Sequence, residues 1–220
     1  MNANDPVPVL AEGDGLLSKT YDVVLAHRRA ELGVQLAKIL SNSDSFVWEV
    51  GCGHGHFLAA YAAAHHDQIC IGIDIAGDRI ERARRKRDRA KLENLHFIRA
   101  EARLFLETIP ANRSIRDIFI LFPDPWPKLR HHKHRILQPE FLAQLTGKVE
   151  EGGRLFFRTD HRSYFEEACA VLRNNSRWNP PTEDAWSFEH ETVFQNRAET
   201  FSSLTARLRD SGDRNLSFGI

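Results

Sequence analysis

A glycine-rich turn offers the first candidate ligand site in this sequence. Gly51, Gly53 and Gly55 follow a short apolar run and precede a helical pattern. Glycines let the backbone approach a ligand closely, and the start of a helix favours polar or anionic groups. The dinucleotide fingerprint G-x-G-x-x-G, counted from Gly51, would need glycine at the next position after Gly55, where this chain has His56. The turn therefore indicates ligand binding but disfavours a pyrophosphate.

Carboxylates near this turn indicate which ligand it suits. Asp74 ends the second apolar run, where a carboxylate can accept both hydroxyls of an adenosine ribose, with a helix cap as the alternative role. Glu49 lies inside the first apolar run, and its charge there suits a cationic amino-acid group. Glu101 follows the third run, where a polar side chain could meet an adenine ring. S-adenosylmethionine carries all of these groups.

The stretch LFPDPWPKLRHHKHR at residues 121–135 is the most specific in the chain. Three prolines around Asp124 and Trp126 make a stiff loop at the end of a predicted strand, beside the crevice where open sheets bind ligands. Trp126 is equally suited to packing beneath the loop and to contacting a base. The histidines that follow would point in divergent directions, and no acid or cysteine completes a ligand set, so we predict no metal site.

Alternating apolar runs and helical patterns from residue 46 onward predict an α/β fold, with a mostly parallel twisted sheet and helices on both faces. The predicted strands span residues 46–51, 69–74, 95–100, 115–122 and 154–159, and residues 201–208 form a looser strand pattern. The predicted helices span residues 57–64, 78–91, 102–109, 139–150 and 164–173. Gly152 and Gly153 are expected to end the helix at 139–150.

Length and composition predict one globular domain. The chain has 220 residues, 42% of them hydrophobic, which suffices for one large core. Residues 1–17 are expected to form a loose arm and residues 18–220 a single domain, which opens with a helix whose apolar stripe includes Leu32, Leu36 and Leu40. No run approaches the roughly 20 apolar residues of a membrane span, and the first residues do not resemble a signal peptide. We therefore expect a cytoplasmic protein without a membrane partner.

Charge is unevenly distributed, although thirty basic residues balance thirty acidic ones. Between Arg79 and Lys91 a string of basic residues is opposed only by Glu81 and Asp88, and a second basic run covers residues 128–135. Such a surface can attract phosphate on one side while the net charge stays at zero. A solvated helix face explains the first run equally well.

The loop at residues 121–135 closely resembles the tRNA (guanine-7-)-methyltransferase family, in which a strand ending in F-P-D-P-W-P-K precedes a basic H-x-K-x-R segment. The resemblance covers about residues 46–197. It implies a Rossmann-like class I methyltransferase that transfers a methyl group from S-adenosylmethionine to ring nitrogen 7 of a guanine in the variable loop of tRNA. Donor contacts are implied for Glu49, Asp74, Glu101 and Asp124, in addition to the turn of Gly51, Gly53 and Gly55 inferred above. Asp124 is also the candidate catalytic residue.

The same resemblance implies the residues that contact the RNA. Lys128 and Asp160 match residues that contact the substrate. A substrate motif is matched by Thr192, Val193, Phe194, Gln195 and Arg197. The RNA-contacting segment is matched by Arg130, His131, His132, Lys133, His134 and Arg135.

Two positions depart from the family pattern. Glu101 stands where aspartate is usual, and Gln195 stands where glutamate is usual, at a place where the family is expected to recognise guanine. Two alternatives therefore stay open: an S-adenosylmethionine-dependent methyltransferase with a substrate other than tRNA, and a non-catalytic RNA-binding relative. We expect a monomer, with a dimer as the alternative.

Overall fold

The computed structural model describes residues 13–184, 186, 188–190 and 198–212, with side chains from residue 22 onward. Helix α1 runs from Gly13 to Ile39, so it begins inside the segment that composition predicted to be a loose arm. Leu32, Leu36 and Leu40 are buried, which confirms the predicted apolar stripe of this helix.

The described residues form a sheet of six strands in the order β3-β2-β1-β4-β5-β6. The strands are β1 (Ser45–Val50), β2 (Cys70–Asp74), β3 (Leu95–Arg99), β4 (Ser114–Leu121), β5 (Val149–Thr159) and β6 (Ser202–Arg207). All neighbouring pairs are parallel except β5 and β6, which are antiparallel. This sheet confirms the mostly parallel fold predicted from the sequence.

Helices cover both faces of the sheet. They are α2 (His56–Ala64), α3 (Gly77–Ala90), α4 (Ala102–Thr108), α5 (Pro139–Thr146) and α6 (Arg162–Arg173), with a short 3-10 helix at Leu129–His134 that the sequence did not predict. Side chains of α1, α4, α5 and α6 share one apolar cluster, and those of α2 and α3 share the other. No helix in the described ranges has the length and apolar character needed to cross a bilayer.

The prediction that a helix extends over residues 139–150 is wrong at its end. Helix α5 stops at Thr146 with Gly147 as its cap, and β5 begins at Val149. Gly152 and Gly153 therefore lie inside a strand. A Cβ atom at Gly153 would lie 2.8 Å from the carbonyl oxygen of Arg116, so this glycine permits close strand packing instead of ending a helix.

The central strands are apolar on both faces, as strands of a covered parallel sheet must be. Along β1, Phe46 and Trp48 pack into one cluster while Val47 packs into the other. The Trp48 ring stacks on Phe105 at a centroid distance of 4.9 Å. The strand order reverses between β1 and β4, so the crevice beyond their carboxyl ends is where an open sheet of this type binds its ligand.

Candidate active site

The glycine turn joins β1 to α2 at this crevice. Gly55 has a φ of +67°, and a side chain there would overlap the ring of Phe97, so only glycine fits. At Gly51 and Gly53, which also have positive φ, no described atom lies within 4 Å of the position a Cβ would take. The backbone of the turn is therefore open on the side where a ligand would approach.

Asp74 ends β2 beside this turn, and its side chain is only 4% exposed. One carboxylate oxygen accepts the N–H of Gly53 at 3.0 Å, and the other accepts the N–H of Ala76 at 2.8 Å. Arg79 lies 3.5 Å from the same carboxylate. A carboxylate has about four acceptor sites, so two remain for ligand hydroxyls after the backbone bonds are made. Asp74 thus both fixes the turn and can bind a ribose.

Glu49 is buried inside the site, with 4% of its surface exposed. Burial, with a smaller contribution from the charge of Asp74, raises the pKa of Glu49 to about 8, although the Leu58 backbone and Lys86 act in the opposite direction. Its Oε2 atom has no hydrogen-bond partner among the described residues. A buried carboxylate oxygen without a partner costs free energy unless a cation or a hydrogen-bond donor pairs with it. The site therefore suits a ligand with an amino group.

A cleft of about 490 Å³ lies beyond Asp74, between α1 and the ends of β2 and β3. Glu101 lines it, together with Ile75, Arg99 and Arg28 of α1. Ile75 is 71% exposed and contributes apolar surface to this cleft. The apolar Ile75 and the acidic Glu101 together suit a flat, polar-edged ring. Sequence reasoning missed Ile75 and the contribution of α1, because the order of residues does not show which side chains share a cleft.

The loop after β4 holds Asp124 between two anchored residues. The N–H of Phe122 donates to the carbonyl oxygen of Arg158 at 2.8 Å, and Arg135 Nε donates to the carbonyl oxygen of Pro125 at 2.8 Å. Phe122 and Trp126 have φ values of 48° and 44°, which non-glycine residues adopt only at a cost of roughly 1–3 kcal/mol. Asp124 itself is exposed. The loop is thus held in a strained form at the carboxyl end of β4, with Asp124 exposed on it.

The basic segment divides into exposed and buried residues. Arg130 and Lys133 are exposed on the 3-10 helix. Trp126 is 37% exposed and packs against the rings of His131 and His134, at 5.9 and 5.1 Å.

Arg135, by contrast, is 1% exposed. Its guanidinium pairs with Glu167 at 2.6 Å, donates to Ser163, and lies 4.8 Å from the ring centre of Tyr164. His132 also contacts Glu167, at 2.7 Å. The structure therefore places Arg135 in the interior as an anchor of the loop, away from the surface where the family resemblance put a phosphate contact.

The other predicted substrate residues are only partly described. Lys128 is exposed at the start of the 3-10 helix, and Asp160 is exposed just after β5. Near Asp160, the buried Arg158 pairs with Glu189 and lies over the ring of Trp186 at 4.0 Å. Five predicted substrate residues lie outside the described part of the chain: Thr192, Val193, Phe194, Gln195 and Arg197.

Comparison with known proteins agrees with this geometry. A family model described as a putative methyltransferase matches residues 43–208. The chain belongs to this methyltransferase family. Its relatives include proteins named tRNA (guanine-N(7)-)-methyltransferase, which confirms the family predicted from the proline and tryptophan loop. The relative from Nitrosococcus oceani is 29% identical over 88% of this chain and 86% of its own length. Those from Nitrosomonas europaea and Nocardia farcinica are 34% and 39% identical, over 65% and 46% of their own lengths and 66% and 57% of this chain.

Solved structures of other methyltransferases share the fold. The 16S rRNA methyltransferase KamB superposes with a TM-score of 0.57 at 17% identity, over 80% of this chain and 94% of that one. A mutant 16S rRNA (adenine(1408)-N(1))-methyltransferase from Catenulisporales acidiphilia, crystallised with its cosubstrate S-adenosylmethionine, superposes with a TM-score of 0.52 at 18% identity, over 82% and 93% of the two chains. At these identities the likeness establishes the fold of this methyltransferase.

Proposed function

We propose that this methyltransferase transfers a methyl group from S-adenosylmethionine to ring nitrogen 7 of a guanine in tRNA, with the variable loop as the target region. The observation that carries the proposal is the meeting of two sets of residues at one edge of the sheet. Glu49 and Asp74 lie at the carboxyl ends of β1 and β2, with the glycine turn after β1, and the anchored Asp124 loop with its exposed basic segment follows β4, the other neighbour of β1. A cytoplasmic location is part of the proposal.

The residues around the turn fit the methyl donor group by group. The unpartnered Oε2 of Glu49 suits the α-amino group of the amino-acid part. The remaining acceptor sites of Asp74 suit the ribose hydroxyls, and the cleft with Ile75 and Glu101 suits the adenine. The donor, when bound, supplies an electrophilic methyl group on a sulfonium. Because the space beside Gly51 and Gly53 is open, the donor can lie directly against the backbone of the turn.

Nitrogen 7 of guanine has an in-plane lone pair at neutral pH, so methyl transfer to it needs no general base. The chain must therefore act mainly by positioning, which can lower a barrier by several kcal/mol. We assign Asp124 the role of orienting the base and stabilising the positive charge that develops on the alkylated ring. Its strained, doubly anchored loop holds the carboxylate in place before the substrate arrives.

The surface beyond Asp124 suits RNA more than a small molecule. Arg130 and Lys133 are exposed and can contact phosphates, while Trp126, 37% exposed beside two histidines, is an aromatic ring available to an unstacked base. A methyltransferase for a small molecule would need the donor residues but not this segment. The exposed cations therefore favour the RNA substrate over the non-tRNA alternative.

The test is transfer of a labelled methyl group to an unmodified tRNA transcript, followed by nuclease digestion and mass spectrometry of the nucleosides. The expected product is 7-methylguanosine. Donor binding is measured in parallel by calorimetry to separate the alternatives. A non-catalytic RNA-binding relative would bind tRNA but would not bind S-adenosylmethionine. A methyltransferase for another substrate would bind the donor and leave the tRNA unlabelled.

A further inference from the structure

A second basic surface lies along α3, on the face of the sheet that α3 shares with α2. It is a cleft of about 600 Å³, here called the α3 groove. Its walls are formed by the turn after β1 and by one side of α3, and they comprise His54, His56, Arg82, Arg85, Lys86, Asp88 and Arg89. The basic residues between Arg79 and Lys91 therefore line part of a concave surface. The alternative interpretation was a solvated helix face.

The cations of the groove form a row. Arg82, Arg85, Lys86 and Arg89 are spaced by three, four and seven residues, which places them on one face of the helix. At a rise of about 1.5 Å per residue, the row extends over about 10 Å. A single small anion would engage only part of it, whereas successive phosphates of a nucleic-acid strand would follow its whole length.

The arginines of the row have no acidic partner in the described part of the chain. The neighbouring Arg84 pairs with Glu81 at 2.9 Å, and Arg87 pairs with Asp88 at 2.7 Å. These pairs engage Glu81 and Asp88, and Asp78, the other acid of α3, forms no ion pair with the row. Arg82, Arg85 and Arg89 consequently keep their charge available for a ligand.

The environment of Lys86 indicates that the groove binds an anion. Its Nζ atom is buried and has no hydrogen-bond partner among the described residues. Burial and the charge of Arg89 lower the pKa of Lys86 to about 8, while Glu49 acts in the opposite direction. A buried ammonium without an acceptor is costly, and a phosphate oxygen would satisfy it.

The groove and the Asp124 loop flank the same crevice. His54 belongs to the turn after β1 and His56 begins α2, while the Asp124 loop follows β4, the strand next to β1. The His54 side of the groove and the Asp124 loop therefore lie at the same end of the sheet, so an RNA strand that places a nucleotide in the crevice can continue along the groove. We infer that the α3 groove binds the ribose-phosphate backbone of the substrate RNA, as a second contact surface separate from Arg130 and Lys133. The choice of RNA as ligand rests on the proposed function.

The test compares two triple variants of the full chain that remove the same charge. The first is Arg82→Gln, Arg85→Gln and Arg89→Gln. The control is Lys38→Gln, Arg103→Gln and Arg173→Gln, which are positions on helices of the opposite face. Affinity for an unmodified tRNA transcript is measured by fluorescence anisotropy at several KCl concentrations. The methylation rate is measured at varied tRNA concentration, and donor affinity is measured by calorimetry.

The groove variant should bind tRNA at least about tenfold more weakly at 0.1 M KCl. Its slope of log affinity against log salt should be smaller by about 0.7–0.9 for each phosphate that the variant no longer neutralises. Its KM for tRNA should rise with kcat and donor affinity unchanged, and the control should differ from the parent by less than about twofold.

Equal affinity and slope in the two variants would overturn the inference, while a parent protein that still methylates guanine would leave the proposed function standing. A parent protein that binds tRNA through the groove but transfers no methyl group would support the inference and contradict the proposed function. Inorganic phosphate added at millimolar concentration should compete only weakly. Competition as strong as that of RNA would identify a small-anion site and overturn the inference.

Discussion

Asp124 is the residue on which the proposed chemistry depends most directly. Its carboxylate is exposed and makes no hydrogen bond or ion pair with described residues, so the fold does not require it. We predict that Asp124→Ala lowers kcat by about 100-fold or more, because the variant can neither orient the base nor stabilise its charge. The unfolding temperature should stay within about 2 °C, since surface changes alter stability by less than about 0.5 kcal/mol.

The control for this prediction is Glu140→Ala, which removes an exposed acid from the first turn of α5. Steady-state kinetics with saturating donor and tRNA measure the effect. Near-normal turnover of Asp124→Ala under these conditions would contradict the assigned role.

Glu49 should couple donor binding to proton release. Burial raises the pKa of Glu49 to about 8, so at pH 7 most of the free protein carries a protonated Glu49 side chain. An amino cation placed beside it favours the ionised form. Binding at pH 7 should therefore release roughly one proton, and the release should fall away as the pH rises through 8.

Calorimetry of donor binding in buffers of different ionisation enthalpy counts these protons. Glu49→Gln, which cannot ionise, should release none and bind the donor at least about tenfold more weakly, as expected when a charge-assisted hydrogen bond is removed. The same proton release in the variant and the parent would show that another group titrates.

Gln195 lies outside the described residues, so a prediction about it rests on the sequence alone. The pairing edge of guanine presents two donors, which a carboxylate can accept together and an amide cannot. If Gln195 faces the base, Gln195→Glu should improve discrimination between guanine- and adenine-bearing target RNAs by about 1 kcal/mol. Competition between the two RNAs for methylation measures this discrimination. An unchanged preference with intact activity would mean that Gln195 does not contact the base.

At the scale of elements, the loop after β4 depends on Arg135. This buried arginine donates to Pro125 and pairs with Glu167 of α6, so it ties the loop to a helix. We predict that Arg135→Ala costs about 2–3 kcal/mol of stability, as expected when a hydrogen-bonded charge is removed from the interior. The unfolding temperature should fall by about 4–10 °C in differential scanning calorimetry.

Arg130→Ala is the matched control for Arg135→Ala, because Arg130 is exposed on the same segment. It should leave stability within about 0.5 kcal/mol and weaken tRNA binding. Equal stability decreases in the two variants would remove the distinction between an anchor and an RNA contact.

The sequence predicts those elements whose patterns are local. The apolar runs of the central strands locate β1 to β4 within a residue or so at each end, because both faces of these strands are covered. The end of α5 was missed because Gly147 gives the same stop signal as the later glycine pair, which instead lies in β5. The interior position of Arg135 was also missed, because its partners Ser163 and Glu167 are distant in sequence and a basic run does not show which member faces inward.

For the whole molecule, a net charge of zero conceals two cationic surfaces beside one crevice. The α3 groove and the segment of Arg130 and Lys133 flank the carboxyl ends of β2, β1 and β4, where Asp74, Glu49 and Asp124 lie. Acidic residues elsewhere in the chain bring the net charge to zero, while these two surfaces attract phosphate locally. The positions of Glu49, Asp74 and Asp124 near the carboxyl ends of their strands could be predicted from the sequence. The α3 groove could not, because the ion pairs of Arg84 and Arg87 are seen only in the structure.

The most direct test of the central claim replaces the reacting atom. Two transcripts of the same tRNA are prepared, one with guanosine and one with 7-deazaguanosine, which has a carbon in place of nitrogen 7. Incubation with labelled S-adenosylmethionine should label the first transcript, as 7-methylguanosine in the variable loop, and leave the second unlabelled although it binds with similar affinity. Equal labelling of both transcripts, or a labelled nucleoside other than 7-methylguanosine, would contradict the account.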